Sequence, residues 1–119
     1  TGRQALEYGL RDAVTFKPIF IVNYVPVEVT GTGGGVNPRT VIGQREDGAV
    51  LLLVIDGRQT TSLGASYSDC IDIMTQYGAM NAANLDGGSS SVMVYDGKII
   101  NNVVSMNGDR KVPTAFIVK

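Results

Sequence analysis

The 119-residue sequence predicts an α+β fold, a mixed and mostly antiparallel sheet with one or two packed helices. Three observations predict it. Short apolar runs of strand length recur between turns rich in Gly, Asp and Pro. Helical spacing of apolar residues occurs in only two places. Glu46-Asp47-Gly48 and Asp96-Gly97 read as hairpin turns, which join antiparallel neighbours.

The elements follow in order. From Gln4 to Val14, residues Ala5, Leu6, Leu10, Ala13 and Val14 have a rough helical spacing that Gly9 weakens. Phe16-Lys17-Pro18 ends it, because proline disfavours helix at the residue before it. Ile19 to Val22 reads as a strand. Val25 to Val29 is extended too, with Pro26 marking an edge or loop margin. Residues 30–38 are glycine-rich. They lack the Gly-Lys-Ser/Thr of a phosphate-cradling loop, so a flexible surface loop or lid is expected. Arg39 to Gln44 is a strand, and Ala49 to Ile55 is a continuous apolar run of the kind buried on both faces at a sheet centre. Ser68 is in place to cap a helix from Asp69 to Tyr77, with Gly78 as its stop. Ala82 to Leu85 leads into a glycine cluster. Val92 to Tyr95 and Lys98 to Asn101 form a hairpin, Asn107-Gly108-Asp109-Arg110 is a turn, and Val112 to Val118 closes the chain as a strand.

Composition bounds the function. Apolar residues make up 44% and charged residues 18%, an ordinary soluble balance for one domain. A net charge of −1 and a pI near 5.2 give no footprint for nucleic acid or an anionic membrane surface. No run reaches the length of a membrane span. Histidine is absent, which removes Ser-His-Asp and Cys-His mechanisms and the usual zinc sites. Cys70 is the single cysteine. With helical spacing beside Ile73 and Met74 it reads as an inert buried thiol. The chain starts at Thr1 with no initiator Met or signal peptide. It reads as a mature, trimmed or excised piece whose address is unreadable.

Three polar groups each follow a buried-looking strand: Arg39-Thr40, Asp56-Gly57-Arg58, and Asn84 to Ser90. If those strands are neighbours, Arg39, Asp56, Arg58, Asn84, Asp86 and Ser89 converge at one end of a sheet. Arginines suit a phosphate, because the guanidinium fork matches its oxygens. Two carboxylates in different environments suit acid/base work or glycosyl transfer. Gly87 and Gly88 leave backbone N–H groups open to an anion or a hydroxyl. The same letters have a structural reading. Asp-Gly-Gly is a strong turn signal, and Asp56, Asp86 and Arg110 can serve in ion pairs that cap loops.

At these residues the chain resembles the phosphodiester glycosidase family. The matching pieces are Asn37-Pro38-Arg39-Thr40-Val41-Ile42-Gly43, Val54-Ile55-Asp56-Gly57-Arg58, Gly64, and Ala83-Asn84-Leu85-Asp86-Gly87-Gly88-Ser89-Ser90. Asn101-Asn102 and Gly108-Asp109-Arg110-Lys111-Val112-Pro113-Thr114-Ala115 follow in the family's order. Family members often carry a third glycine where Ser89 stands. Serine is tolerated there unless the position needs a positive φ. The family domain is longer, so residues 1–119 resemble its C-terminal part, with the N-terminal part missing.

The resemblance implies hydrolysis of a sugar-1-phosphodiester, such as N-acetylglucosamine-1-phosphodiester, at its glycosidic bond. Asp86 and Asp56 are then the candidate catalytic carboxylates. Arg39, Arg58 and Arg110 would hold the phosphodiester. Thr40, Asn84, Gly87, Gly88, Ser89 and Ser90 would complete the substrate site. Asp56 is alternatively a ligand for a divalent cation such as calcium. The competing reading is a non-catalytic carbohydrate- or cell-wall-binding module using the same pocket. Expected partners are a sugar phosphate or glycan, and either the missing N-terminal fragment or a second copy, since an open sheet edge invites pairing. A bacterial or phage cell-surface or extracellular setting accompanies the resemblance.

Overall fold

The computed structural model describes residues 1–31, 35–105 and 110–118. Residues 32–34 of the expected glycine-rich loop and 107–109 of the expected last turn lie outside the described residues.

Helix α1 (Gly2–Glu7) starts at Thr1, whose side chain accepts the Gln4 N–H while the Gln4 side chain accepts from the Thr1 amine. It is shorter than the Gln4–Val14 spacing predicts. Gly9 takes a left-handed φ of +67° and turns the chain away. No residue of α1 is buried, so no packing sustains a longer helix.

Five strands form one sheet in the order β2-β1-β5-β3-β4, with every pairing antiparallel. They are β1 (Ile19–Val22), β2 (Val25–Pro26), β3 (Arg39–Gln44), β4 (Val50–Ile55) and β5 (Asn81–Asn84). This is the predicted α+β arrangement, with two corrections of position. The apolar run of β4 stands at an edge, paired only with β3 from Arg39↔Ile55 to Gln44↔Val50. The centre belongs to β5, whose Asn-Ala-Ala-Asn sequence gives little hydrophobic signal. β2 stops at Pro26, on the edge where a missing N–H costs no ladder bond.

Helix α2 (Tyr67–Gln76) covers one face of the sheet. Its cap is Ser66 rather than the expected Ser68. The Ser66 hydroxyl accepts the Asp69 N–H, and the Asp69 carboxylate accepts the Ser66 N–H at 2.7 Å. That reciprocal pair satisfies two donors at once, an advantage a cap at Ser68 lacks. Phe20, Ile21, Val41, Ala65, Cys70, Met74, Ala79 and Ala82 make the core between helix and sheet. Burial pushes the Cys70 thiol up to about 11, in line with a buried, inert thiol.

The register puts Arg39, Val41, Gly43, Ala82 and Asn84 on the helix side. Thr40, Ile42, Val50, Leu52, Val54 and Ala83 occupy the other. A separate hairpin joins β6 (Val94–Tyr95) to β7 (Lys98–Ile99). Residues 112–118 form no strand: among the described residues they pair with neither outer strand of the sheet, β2 nor β4.

Candidate functional site

The antiparallel register brings three chain segments to one end of the sheet. Arg39 opens β3 opposite Ile55 at the end of β4, and Asn84 at the end of β5 pairs with Val41. Arg39-Thr40 thus begins a strand rather than following one, and the antiparallel arrangement still places it beside Asp56 and Asn84.

Backbone packing around Asn37-Pro38 shapes this end. Beyond β5 the chain runs on beside β3: Leu85 donates its N–H to the Thr40 carbonyl at 2.9 Å, and Gly88 to the Pro38 carbonyl at 2.9 Å. A Cβ at Gly87 would lie 2.6 Å from the Pro38 oxygen. One at Gly57 would lie 2.7 Å from the Pro38 nitrogen and 2.8 Å from Gly64 Cα. Glycine is required at both by close approach rather than by turn conformation. The spaced glycines therefore pack as one hub around a dipeptide whose importance composition alone does not reveal.

The candidate residues separate into two groups on this scaffold. Asp86, Ser90 and Arg110 come together. The Arg110 guanidinium lies 3.5 Å from the Asp86 carboxylate and donates to the Ser90 hydroxyl at 2.9 Å. Both charged side chains are about half exposed, so this is the accessible part of the cluster. The Arg58 guanidinium lies against Gly88 and donates to Asn37 Oδ1 at 2.9 Å. Arg58 has φ +57°, a left-handed conformation uncommon for a residue with a Cβ. Such strain persists where surrounding contacts over-determine it, and it concentrates at functional sites. Ser89 lies within the 3₁₀ turn Gly88–Ser90; the positive φ of +62° belongs to Gly88, so serine fits position 89 without strain.

The second group braces the scaffold. Arg39 is only 5% exposed. Its guanidinium donates to the Ala65 and Gly35 carbonyls at 2.8 and 2.6 Å and stacks 4.4 Å over the Tyr67 ring. Thr40 donates to the buried Ser91 hydroxyl at 3.0 Å. Asn84 donates to the Lys17 carbonyl at 2.7 Å, and its own Oδ1 is buried without a hydrogen-bond partner among the described residues. Asp56 accepts from the Asn102 N–H at 3.0 and 3.1 Å and from the Asn101 side-chain amide at 3.0 Å. The same Asn101 amide donates to the Ser91 carbonyl. The Gln59 side-chain amide donates to the Asn102 backbone carbonyl at 2.8 Å and accepts from the Asn102 side-chain amide. The Asp56 carboxylate thus ties the β4 end to residues 101–102. Asn101-Asn102 belongs to the sequence resemblance, but nothing in the residue types alone reveals this clamp.

Among the described residues, no three His, Cys, Asp or Glu side chains converge as a cation's ligands would. The Asp56 carboxylate is engaged instead by the Asn101 and Asn102 donors.

Comparison with known proteins places the chain in a family. The family model for phosphodiester glycosidase matches residues 1–119. The prophage-derived protein YomE of Bacillus subtilis is 42% identical over 67 residues, covering 56% of this chain and 10% of that protein. Bovine N-acetylglucosamine-1-phosphodiester alpha-N-acetylglucosaminidase is 33% identical over 64 residues, covering 54% of this chain and 12% of that enzyme. The crystal structure of a "putative exported protein" from Burkholderia pseudomallei superposes with a TM-score of 0.60 at 45% identity. The match covers 63% of this chain and 15% of that one. The chain therefore spans about a tenth of the length of the curated relatives it matches. With a family model matching it from end to end, the chain belongs to the phosphodiester glycosidase family.

Proposed function

We propose that this chain serves in hydrolysis of the glycosidic bond of a sugar-1-phosphodiester, giving the free sugar and a phosphomonoester. The observation that carries the reading is the half-exposed Asp86 carboxylate beside the Arg110 guanidinium, which also donates to the Ser90 hydroxyl, with Arg58 lying against Gly88 two residues on. A carboxylate paired with one guanidinium, with a second at the neighbouring glycine, suits a substrate that has an electron-poor anomeric carbon bonded to a phosphate oxygen.

In this mechanism Arg110 and Arg58 hold the phosphodiester. As the anomeric C–O bond breaks, its electron pair passes to the phosphate oxygen, and the growing charge meets the guanidinium groups. Asp86 faces the anomeric carbon as base, nucleophile or stabiliser of the oxocarbenium ion. Water supplies the hydroxyl that the carbon gains and a proton for solution. A phosphate leaves as an anion, so a dedicated general acid is unnecessary. Asp56 acts as a positioning residue through Asn101 and Asn102, and Arg39 through the Ala65 carbonyl. The bovine relative's name makes an α-N-acetylglucosamine-1-phosphodiester the first substrate to try. The rest of a longer polypeptide would supply further contacts. An extracellular setting fits the Burkholderia neighbour, and no described helix is long and apolar enough to cross a membrane.

One observation favours a second reading, a carbohydrate-binding module without turnover. Two carboxylates are usual in glycosidases, and one of the two candidates here is committed to amides. Incubating an α-N-acetylglucosamine-1-phosphodiester with this chain, and with the longest polypeptide containing it, separates the two. Release of free sugar and phosphomonoester in equal amounts supports the enzyme. Saturable binding without release supports the module.

A further inference from the structure

We infer that the opposite end of the sheet carries a second binding site, for a neutral saccharide. Three turns meet there: Asn23-Tyr24 between β1 and β2, residues 45–48 between β3 and β4, and residues 77–80 between α2 and β5. They border a shallow, solvent-open cleft of about 610 Å³ lined by Tyr24, Arg45, Glu46, Asp47, Gln76, Tyr77 and Gly78. That volume suits a ligand of one to a few rings. The six residues of β3 separate the cleft from the Asp86 end by roughly 17 Å.

The Asn23-Tyr24 turn points to a purpose beyond closing a hairpin. Asn23 has φ +48° and Tyr24 has φ +67°, so both central residues of a two-residue loop are left-handed. Asn-Gly is the preferred pair for such a loop, and a bulky ring at the second position is strained. The turn is nonetheless held firmly. Tyr24 donates its N–H to the Met80 carbonyl at 2.8 Å, and Asn23 donates its N–H to Asn81 Oδ1 at 3.1 Å. The Tyr24 hydroxyl donates to Glu46 at 2.9 Å, which fixes the ring at the cleft wall. A strained residue held by its surroundings is a reason to look for function.

The lining chemistry selects the ligand class. Tyr24 and Tyr77 are 51% and 65% exposed, so each offers a ring face to solvent. Tyrosine combines an apolar face with a polar edge, which suits the C–H face and hydroxyl rim of a sugar. Around the rings stand an amide, Gln76, and an Arg45–Asp47 pair at 3.0 Å, which together offer donors and acceptors in fixed positions. Arg45 is outnumbered by Glu46 and Asp47, so the cleft disfavours polyanions, phosphodiesters included. A neutral, hydroxyl-rich ring remains. This site stands apart from the reaction proposed above and holds or fails independently of it.

The test is titration of the ¹⁵N-labelled full chain with three neutral trisaccharides: chitotriose, cellotriose and maltotriose. At least one is expected to shift the amides of Tyr24, Asp47 and Gln76 to Gly78, with Kd on the order of 1 mM. Tyr24→Gly removes the ring and relaxes the left-handed backbone, so it should fold with unchanged or higher Tm. It should also weaken binding by about tenfold or more. Tyr77→Ala, on the exposed helix end, should weaken it likewise, while Asp86→Asn should leave it unchanged. The inference is overturned by absence of shifts with all three sugars at about 10 mM. It is equally overturned by undiminished binding in folded Tyr24→Gly and Tyr77→Ala, or by shifts confined to the Asp86 end.

Discussion

At the scale of single residues, the two candidate carboxylates have different surroundings, and the difference is measurable. Asp56 ties the end of β4 to Asn101 and Asn102. Its replacement by Ala should cost about 1–3 kcal/mol of stability by leaving those donors unpaired, seen as a lower urea midpoint. Cys70 gives a second test. Burial raises its thiol from 9.0 to about 11. The stability this contributes is fully present below the unfolded pKa. It is lost as pH rises towards 11, because the unfolded chain then ionises the thiol more readily. Unfolding followed between pH 8 and 11 should show that decline in the wild type and less of it in Cys70→Ala. The residue types at this end of the sheet were legible in the sequence. Their division into accessible and bracing groups was not, because it depends on which face of β3 each side chain leaves and on a clamp 45 residues away in the chain.

At the scale of elements, local signals read well where they are self-contained. β1 and β3 coincide with their predicted spans because flanking turns bound them. The helix start at Ser66 shows how a local signal misleads. Ser68 has the residue type of a cap, but the reciprocal bond with Asp69 sets the start at Ser66. Ser66→Ala should cost about 1 kcal/mol and Ser68→Ala far less, compared by chemical denaturation. Tertiary position was the illegible part. The apolar letters of β4 predict a central strand, yet β5 is central through backbone bonds to both neighbours. A strand's order in a sheet comes from long-range pairing, which neither composition nor alternation encodes. Residues 112–118 make the same point: their apolar letters suit a strand, yet among the described residues they pair with neither edge of the sheet.

At the scale of the whole molecule, β4 presents an open edge of six apolar residues without charge or proline. Within it Val50 and Leu52 are 59% and 41% exposed. An edge of this kind templates pairing with another chain. The 119-residue chain should therefore self-associate with rising concentration, and Leu52→Lys should shift it towards monomer in light scattering. A longer polypeptide that covers β4 should stay monomeric without the substitution. The glycine hub around Asn37-Pro38 works at this scale too, since it joins the ends of three strands into one rim and sets where Asp86 and Arg58 stand.

The most direct test of the central claim is turnover of an α-N-acetylglucosamine-1-phosphodiester by Asp86→Asn in the longest polypeptide containing this chain. Asp86 is half exposed and braces no buried group, so the variant should keep wild-type Tm. Loss of the carboxylate should lower kcat by about 10²–10⁴-fold. A folded Asp86→Asn variant with wild-type kcat would contradict the account and move the chemistry away from this rim.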